Sequence, residues 1–155
     1  MLGQQLTITV TQDGITQNMP PVQIEVTATN APNDPAILTV YVIVQQNMGL
    51  SPNAIAFSAS AGGQGTVQPG TPTDPTSHVV QVTNTSGGTV AQLGTIGCQP
   101  GTRVSCTVDQ GEGTVTFTVD PVGLAPGTFN LTANVTASAA SNSPQTVAIT
   151  LTVTP

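Results

Sequence analysis

The chain has 155 residues, enough for one well-filled core or for one and a half small ones. It carries a single cation, Arg103, no lysine, one histidine, His78, and seven acids, for a formal net charge of −6. That excludes an electrostatic footprint for nucleic acid or an anionic membrane surface, and no apolar run approaches the ~18 residues of a spanning helix.

Thr and Val are the commonest residues, with 13 Pro and 16 Gly, which predicts many short strands joined by turns. Residues 4–11 alternate polar and apolar with period two and predict a half-buried strand. The N-terminal MLGQQLTITV therefore reads as strand rather than signal peptide, so a mature or trimmed chain is expected. Residues 13–21, DGITQNMPP, form a turn and a proline-fixed restart. Residues 22–29, VQIEVTAT, alternate again. NAPNDP is a loop, because each X-Pro step biases the preceding residue away from helix. Residues 36–45, AILTVYVIVQ, predict a third strand, and 46–53 a junction. Further strands are expected at 54–61, 78–84, 89–97 and 103–108, with a long polar Gly/Pro/Thr connection at 62–77. The stretch 113–155 then supplies three closing strands.

That closing stretch occurs twice. Residues 4–46, moved along by 109 positions, align with it without a gap. Leu6, Ile8 and Val10 fall on Val115, Phe117 and Val119, and Gly14-Ile15 falls on Gly123-Leu124. Val26 and Ala28 fall on Val135 and Ala137, and Asn33 and Pro35 on Asn142 and Pro144. Leu38, Val40, Val42 and Val44 fall on Val147, Ile149, Leu151 and Val153. An internal repeat of this kind sets the architecture. The expected fold is all-β, an immunoglobulin-like β-sandwich: one complete seven-stranded module at 48–155, preceded by a three-stranded half module at 1–47.

The half module differs from its copy in one respect. Leu38, Val40, Val42 and Val44 form one face of its third strand, and Ile37, Tyr41 and Ile43 the other. The later copy has Thr146, Thr150 and Thr152 at those second positions. Either the strand is buried on both sides by its own domain, or the face is covered by another module or subunit. On the second reading Ile37, Leu38, Val40, Tyr41, Val42 and Ile43 are subunit-interface residues. Leaving half of the half module's inward aliphatic side chains in water forfeits about 10 kcal/mol, the scale of a whole domain's stability. Three covers are open: the second module folded back, a strand from a neighbouring subunit, or an upstream segment. Strand donation caps an open edge, and repeated head to tail it builds a filament.

The run Leu50-Ser51-Pro52 to Phe57-Ser58-Ala59, then Gly62-Gly63, Val82-Thr83-Asn84-Thr85, Val119-Asp120-Pro121, Gly123-Leu124-Ala125-Pro126-Gly127-Thr128 and Ser141 to Val147, with a terminal Leu151-Thr152-Val153-Thr154, resembles the BACON-like immunoglobulin-type repeats of large bacterial secreted and surface proteins. The resemblance covers residues 48–155 well and 4–46 partly. It implies an extracellular β-sandwich, often in tandem, with glycan or mucin binding proposed for some members. Where the family usually carries Trp-Leu-Ser, this chain has Arg103-Val104-Ser105, and it contains no Trp. Of its aromatics, Phe57, Phe117 and Phe129 sit at inward strand positions, which leaves Tyr41 as a sugar platform.

No catalytic constellation, cofactor site or metal site is expected, and no enzyme activity. Cys98 and Cys106 flank a Pro100-Gly101 turn, so they can face each other across a hairpin. A structural disulfide is expected, with free thiols or redox chemistry as alternatives. Two cysteines with no Cys-x-x-Cys spacing or His partner make no zinc site. His78 has no triad partner that the sequence reveals. Asp109, Glu112 and Asp120 are read as turn-capping carboxylates, with calcium as the alternative. Asn84, Asn130 and Asn134 head N-x-Ser/Thr sequons, read as ordinary polar positions or as glycosylation acceptors. The functional expectation is an extracellular structural or adhesive protein, a self-associating fibre segment built by strand complementation. Its rival is a carbohydrate-binding module. Neither reading involves nucleic acid or membrane insertion.

Overall fold

The computed structural model describes residues 5–11, 14–15, 18–28, 32, 34–62, 66–67 and 77–155. Nearly all the regular structure is strand. The chain divides into two compact units, Met1–Val44 and Gln45–Pro155.

The first unit holds two strands among its described residues, β1 (Val22–Val26) and β2 (Ala36–Val40), in a two-stranded antiparallel sheet. Residues 5–11 form no strand, which corrects the expectation for 4–11 as far as it can be followed, residue 4 lying outside the described residues. Their alternation is real, but a strand needs a ladder. In the later copy the matching segment is paired on both sides, and no counterpart of either neighbour exists among the described residues of Met1–Val44.

The second unit contains nine strands among its described residues. They are β3 (Met48–Ser51), β4 (Ala54–Gly62), β5 (Thr66–Val67), β6 (His78–Asn84), β7 (Ile96–Gln99), β8 (Val104–Asp109), β9 (Thr114–Val119), β10 (Gly127–Ala137) and β11 (Gln145–Thr154). One sheet has the order β5-β4-β11-β10-β7, the other β3-β6-β9-β8. All pairs are antiparallel except β4 with β11, which run parallel over seven residue pairs from Ala54↔Ala148 to Ser60↔Thr154. Inward residues of both sheets merge into one core that includes Phe57, Val80, Phe117, Val135, Ile149 and Leu151, so the unit is a β-sandwich. Every second residue of β11 is buried, from Val147 to Val153, as a strand with one core face requires.

Two of the nine strands were not expected. Met48–Ser51 lies in the predicted junction, yet it pairs with Gln81–Asn84 of β6 and buries Met48. Thr66–Val67 pairs with the end of β4 inside the predicted 62–77 connection, the rest of which, apart from residue 62 and residue 77, lies outside the described residues. A third difference falls at 89–97. Here Val90–Leu93 is a 3-10 turn, begun where the Thr89 N–H donates to Gln92 Oε1 at 2.7 Å and closed where the Gln92 N–H donates to the Thr89 carbonyl at 3.2 Å. Leu93 from that turn is fully buried, which accounts for its strand-like apolar signal.

The repeat is visible as geometry inside each unit. The five pairs of β1 with β2, from Val22↔Val40 to Val26↔Ala36, become five of the nine β10–β11 pairs, Leu131↔Ile149 to Val135↔Gln145, when both numbers are raised by 109. Gly14 and Gly123, also 109 apart, both have φ +75°, a left-handed conformation that glycine adopts without Cβ strain. The Ala28 N–H donates to Asp34 Oδ1 at 3.0 Å, and the Ala137 N–H donates to Ser143 Oγ at 3.0 Å. The side chain has changed while the loop-closing bond is the same.

Candidate functional site

In the second unit the ladder of this repeat runs on through Gly127, but in the first unit it stops at Val22↔Val40. Moved by 109, Phe129 and Asn130 correspond to Pro20 and Pro21. Proline has no N–H to give to a ladder, so residues 41–45 lose their regular partner. This is why the predicted 36–45 strand ends at Val40. Two bonds replace the ladder. The Met19 N–H donates to the Val42 carbonyl at 3.2 Å, and the Val44 N–H donates to Asn18 Oδ1 at 2.7 Å.

The alternation of residues 40–44 nevertheless survives. Val40, Val42 and Val44 are half-buried, whereas Tyr41 and Ile43 are 69% and 75% exposed. Ile37 and Leu38 of β2 are exposed as well. All six predicted interface residues therefore lie on one strand and its continuation. Val40 and Val42 also line an apolar groove of about 280 Å³ together with Ile8, Val10, Met19 and Ile24. No described residue of Met1–Val44 is buried, while the matching positions Val115, Phe117, Val135, Val147, Ile149 and Leu151 are all at 1% exposure or less.

The other singled-out residues have structural partners. Cys98 and Cys106 form a disulfide with Cα atoms 6.4 Å apart. It does not close a hairpin, as the Pro-Gly turn suggested. Cys98 lies on β7, which pairs with β10, and Cys106 on β8, which pairs with β9, so the bond ties one sheet to the other. Between them Gly101 packs so closely that an added Cβ would strike the backbone carbonyl of Thr132. Arg103 sits at φ +64° and donates from Nη1 to the carbonyls of Asp120 at 3.2 Å and Val122 at 2.7 Å.

His78 Nε2 donates to the Ala56 carbonyl at 2.7 Å, and its ring meets Phe57 edge-on at 4.9 Å, a second tie between sheets. Asp109 Oδ1 accepts from the N–H groups of Gly111 and Glu112, and Asp120 Oδ1 from that of Val122. Both carboxylates cap their own turns. Among the described residues no group of three or more His, Cys, Asp or Glu is placed to hold a metal, and no helix is long and apolar enough to cross a membrane. Of the sequon asparagines, Asn84 donates to Gln46 Oε1 and the Thr89 carbonyl, and Asn134 accepts from Thr146. Asn130 is exposed.

Sequence reasoning overlooked two sets of residues. Pro20-Pro21 with Asn18 set the end of the first ladder, and the 109-residue alignment contains the signal, since it places two prolines on paired strand positions. The other set consists of amides that imitate a neighbouring strand. Asn142 accepts from the Met48 N–H at 2.8 Å and donates to the Met48 carbonyl at 2.9 Å. Gln110 accepts from the Ile96 N–H at 3.0 Å and donates to the Ile96 carbonyl. No periodicity announces such residues. Comparison with protein-family models and with curated proteins finds no match for this chain.

Proposed function

We propose that this protein is an extracellular structural or adhesive segment of a cell-surface fibre, assembled through β-strand complementation at residues 1–47. The observation that carries the reading is the contrast between two copies of one strand pair. In the second unit the pair is enclosed in a core, and in the first its inward side chains line an open groove while Ile37, Tyr41 and Ile43 face solvent. Contiguous exposed apolar surface marks an interaction site. The second unit is read as an immunoglobulin-like module of the BACON-like type, and the first as part of such a module completed by a neighbour. The inter-sheet disulfide supports an oxidising, extracellular setting. No residue set argues for an enzyme.

The test is size-exclusion chromatography with light scattering and negative-stain microscopy on the untagged chain. Filaments or concentration-dependent growth are expected. A monomer that stays stable and dilute without aggregating would overturn the reading. Exposed Tyr41 favours one alternative, a carbohydrate-binding module, because an uncovered aromatic ring can stack on a sugar. Specific retention on mucin that Tyr41→Ala abolishes would support that alternative.

A further inference from the structure

The second unit contains a template for what an open edge of this repeat takes up. There β11 lies between β10 on one side and the parallel strand β4 on the other. Raised by 109, residues 39–45 correspond to 148–154, the whole length of the β4 contact. Among the described residues of the first unit the sheet holds β1 and β2, and the side of β2 that corresponds to the β4 side has no paired strand among them.

We infer that this edge accepts a parallel strand of the β4 type, donated by another polypeptide. The inference rests on the strand-complementation reading and specifies its partner. The template fixes the donor's chemistry. Ile55 lies beside Ile149, Phe57 beside Leu151 and Ala59 beside Val153, so the donor places one large apolar residue beside Val40, an aromatic beside Val42 and a small residue beside Val44. On the outward side Ala56 and Ser58 lie beside Thr150 and Thr152, the positions held by Tyr41 and Ile43 in the first unit. Small residues there leave room for those two larger side chains, and cross-strand pairs of this kind set strand preference. Main-chain bonds supply affinity and the alternate side chains supply selectivity. The acceptor stretch from Thr39 to Gln45 contains no charged residue, and neither does β4, so the donor is uncharged over these positions.

The test uses the full isotope-labelled chain and a synthetic peptide of residues 53–61 with lysines added at both ends. Amide exchange at residues 39–45 is expected to slow at least about tenfold on saturation, and a peptide carrying Phe57→Asp is expected to leave it unchanged. A nitroxide on the peptide N-terminus should broaden the amide of Thr39 more than that of Gln45. Absent protection, equal protection by the Asp peptide, or broadening centred on Gln45 would each overturn the assignment. Filaments that form but ignore the peptide would leave the fibre reading standing and remove this donor. Peptide binding by a chain that never polymerises would uphold the donor and remove the fibre.

Discussion

Arg103 holds a backbone conformation that disfavours any side chain, φ +64°, and its guanidinium bridges the carbonyls that follow β9. The two effects oppose each other. A left-handed non-glycine residue costs about 1 kcal/mol, and two hydrogen bonds return about 1 kcal/mol each. Arg103→Ala keeps the strain and loses the bonds, so urea denaturation should show a loss of roughly 1–2 kcal/mol. Arg103→Gly removes both and should lose less. The opposite order would mean that the left-handed backbone carries no strain here, and an Arg103→Ala variant as stable as the parent would mean that the guanidinium contributes nothing. Gly101 is constrained by space instead. Gly101→Ala pushes a methyl group into the Thr132 backbone, and a cost of roughly 1–3 kcal/mol is expected in the same assay. Neither role is legible in the sequence. Arg103 looks like a lone surface cation and Gly101 like half of a turn signal, because each acts on backbone atoms far along the chain, at Asp120 and Val122 for Arg103 and at Thr132 for Gly101.

At the scale of elements, period-two alternation located β1, β4, β6 and β8 to within a few residues and placed three strands, β9, β10 and β11, within 113–155, because their apolar residues fall on one face of each strand. It failed where alternation and pairing part company. Residues 5–11 alternate without a ladder partner, and Val90–Leu93 buries an apolar residue from a turn. Of the site, the apolar outer face of residues 37–43 was legible, while the reason its strand ends early lay in a comparison of prolines that composition alone does not prompt. Replacing Pro20 and Pro21 by Phe and Asn, the residues of the later copy, restores two N–H groups. One of two adjacent N–H groups in a strand points at its neighbour, so the β1–β2 ladder should lengthen, with slowed amide exchange at residues 41–43. Unchanged exchange would show that the prolines do not limit it. The disulfide belongs to this scale as well. Reduction or Cys98→Ala/Cys106→Ala should lower stability by about 2–3 kcal/mol, read as a shifted urea midpoint with little change in slope.

For the whole molecule, the second unit forms one cooperative core, and Phe117, fully buried, is central to it. Phe117→Ala should cost about 3–5 kcal/mol and depress the main unfolding transition, while leaving exchange at residues 22–26 and 36–40 as it was. Coupled loss in both regions would mean that the two units unfold as one. A further property follows from the parallel pair β4–β11. In the second unit β4 follows directly on β3, and the unit ends just after β11. A load applied between Asn53, directly before β4, and Pro155 therefore draws the two strands past one another lengthwise, and the seven residue pairs between them resist together instead of opening in turn. A fibre whose load enters through β4 would be held at this seam. Single-molecule pulling should find the unit much stronger along that axis than when it is peeled apart at the β10–β11 hairpin, whose pairs yield one by one.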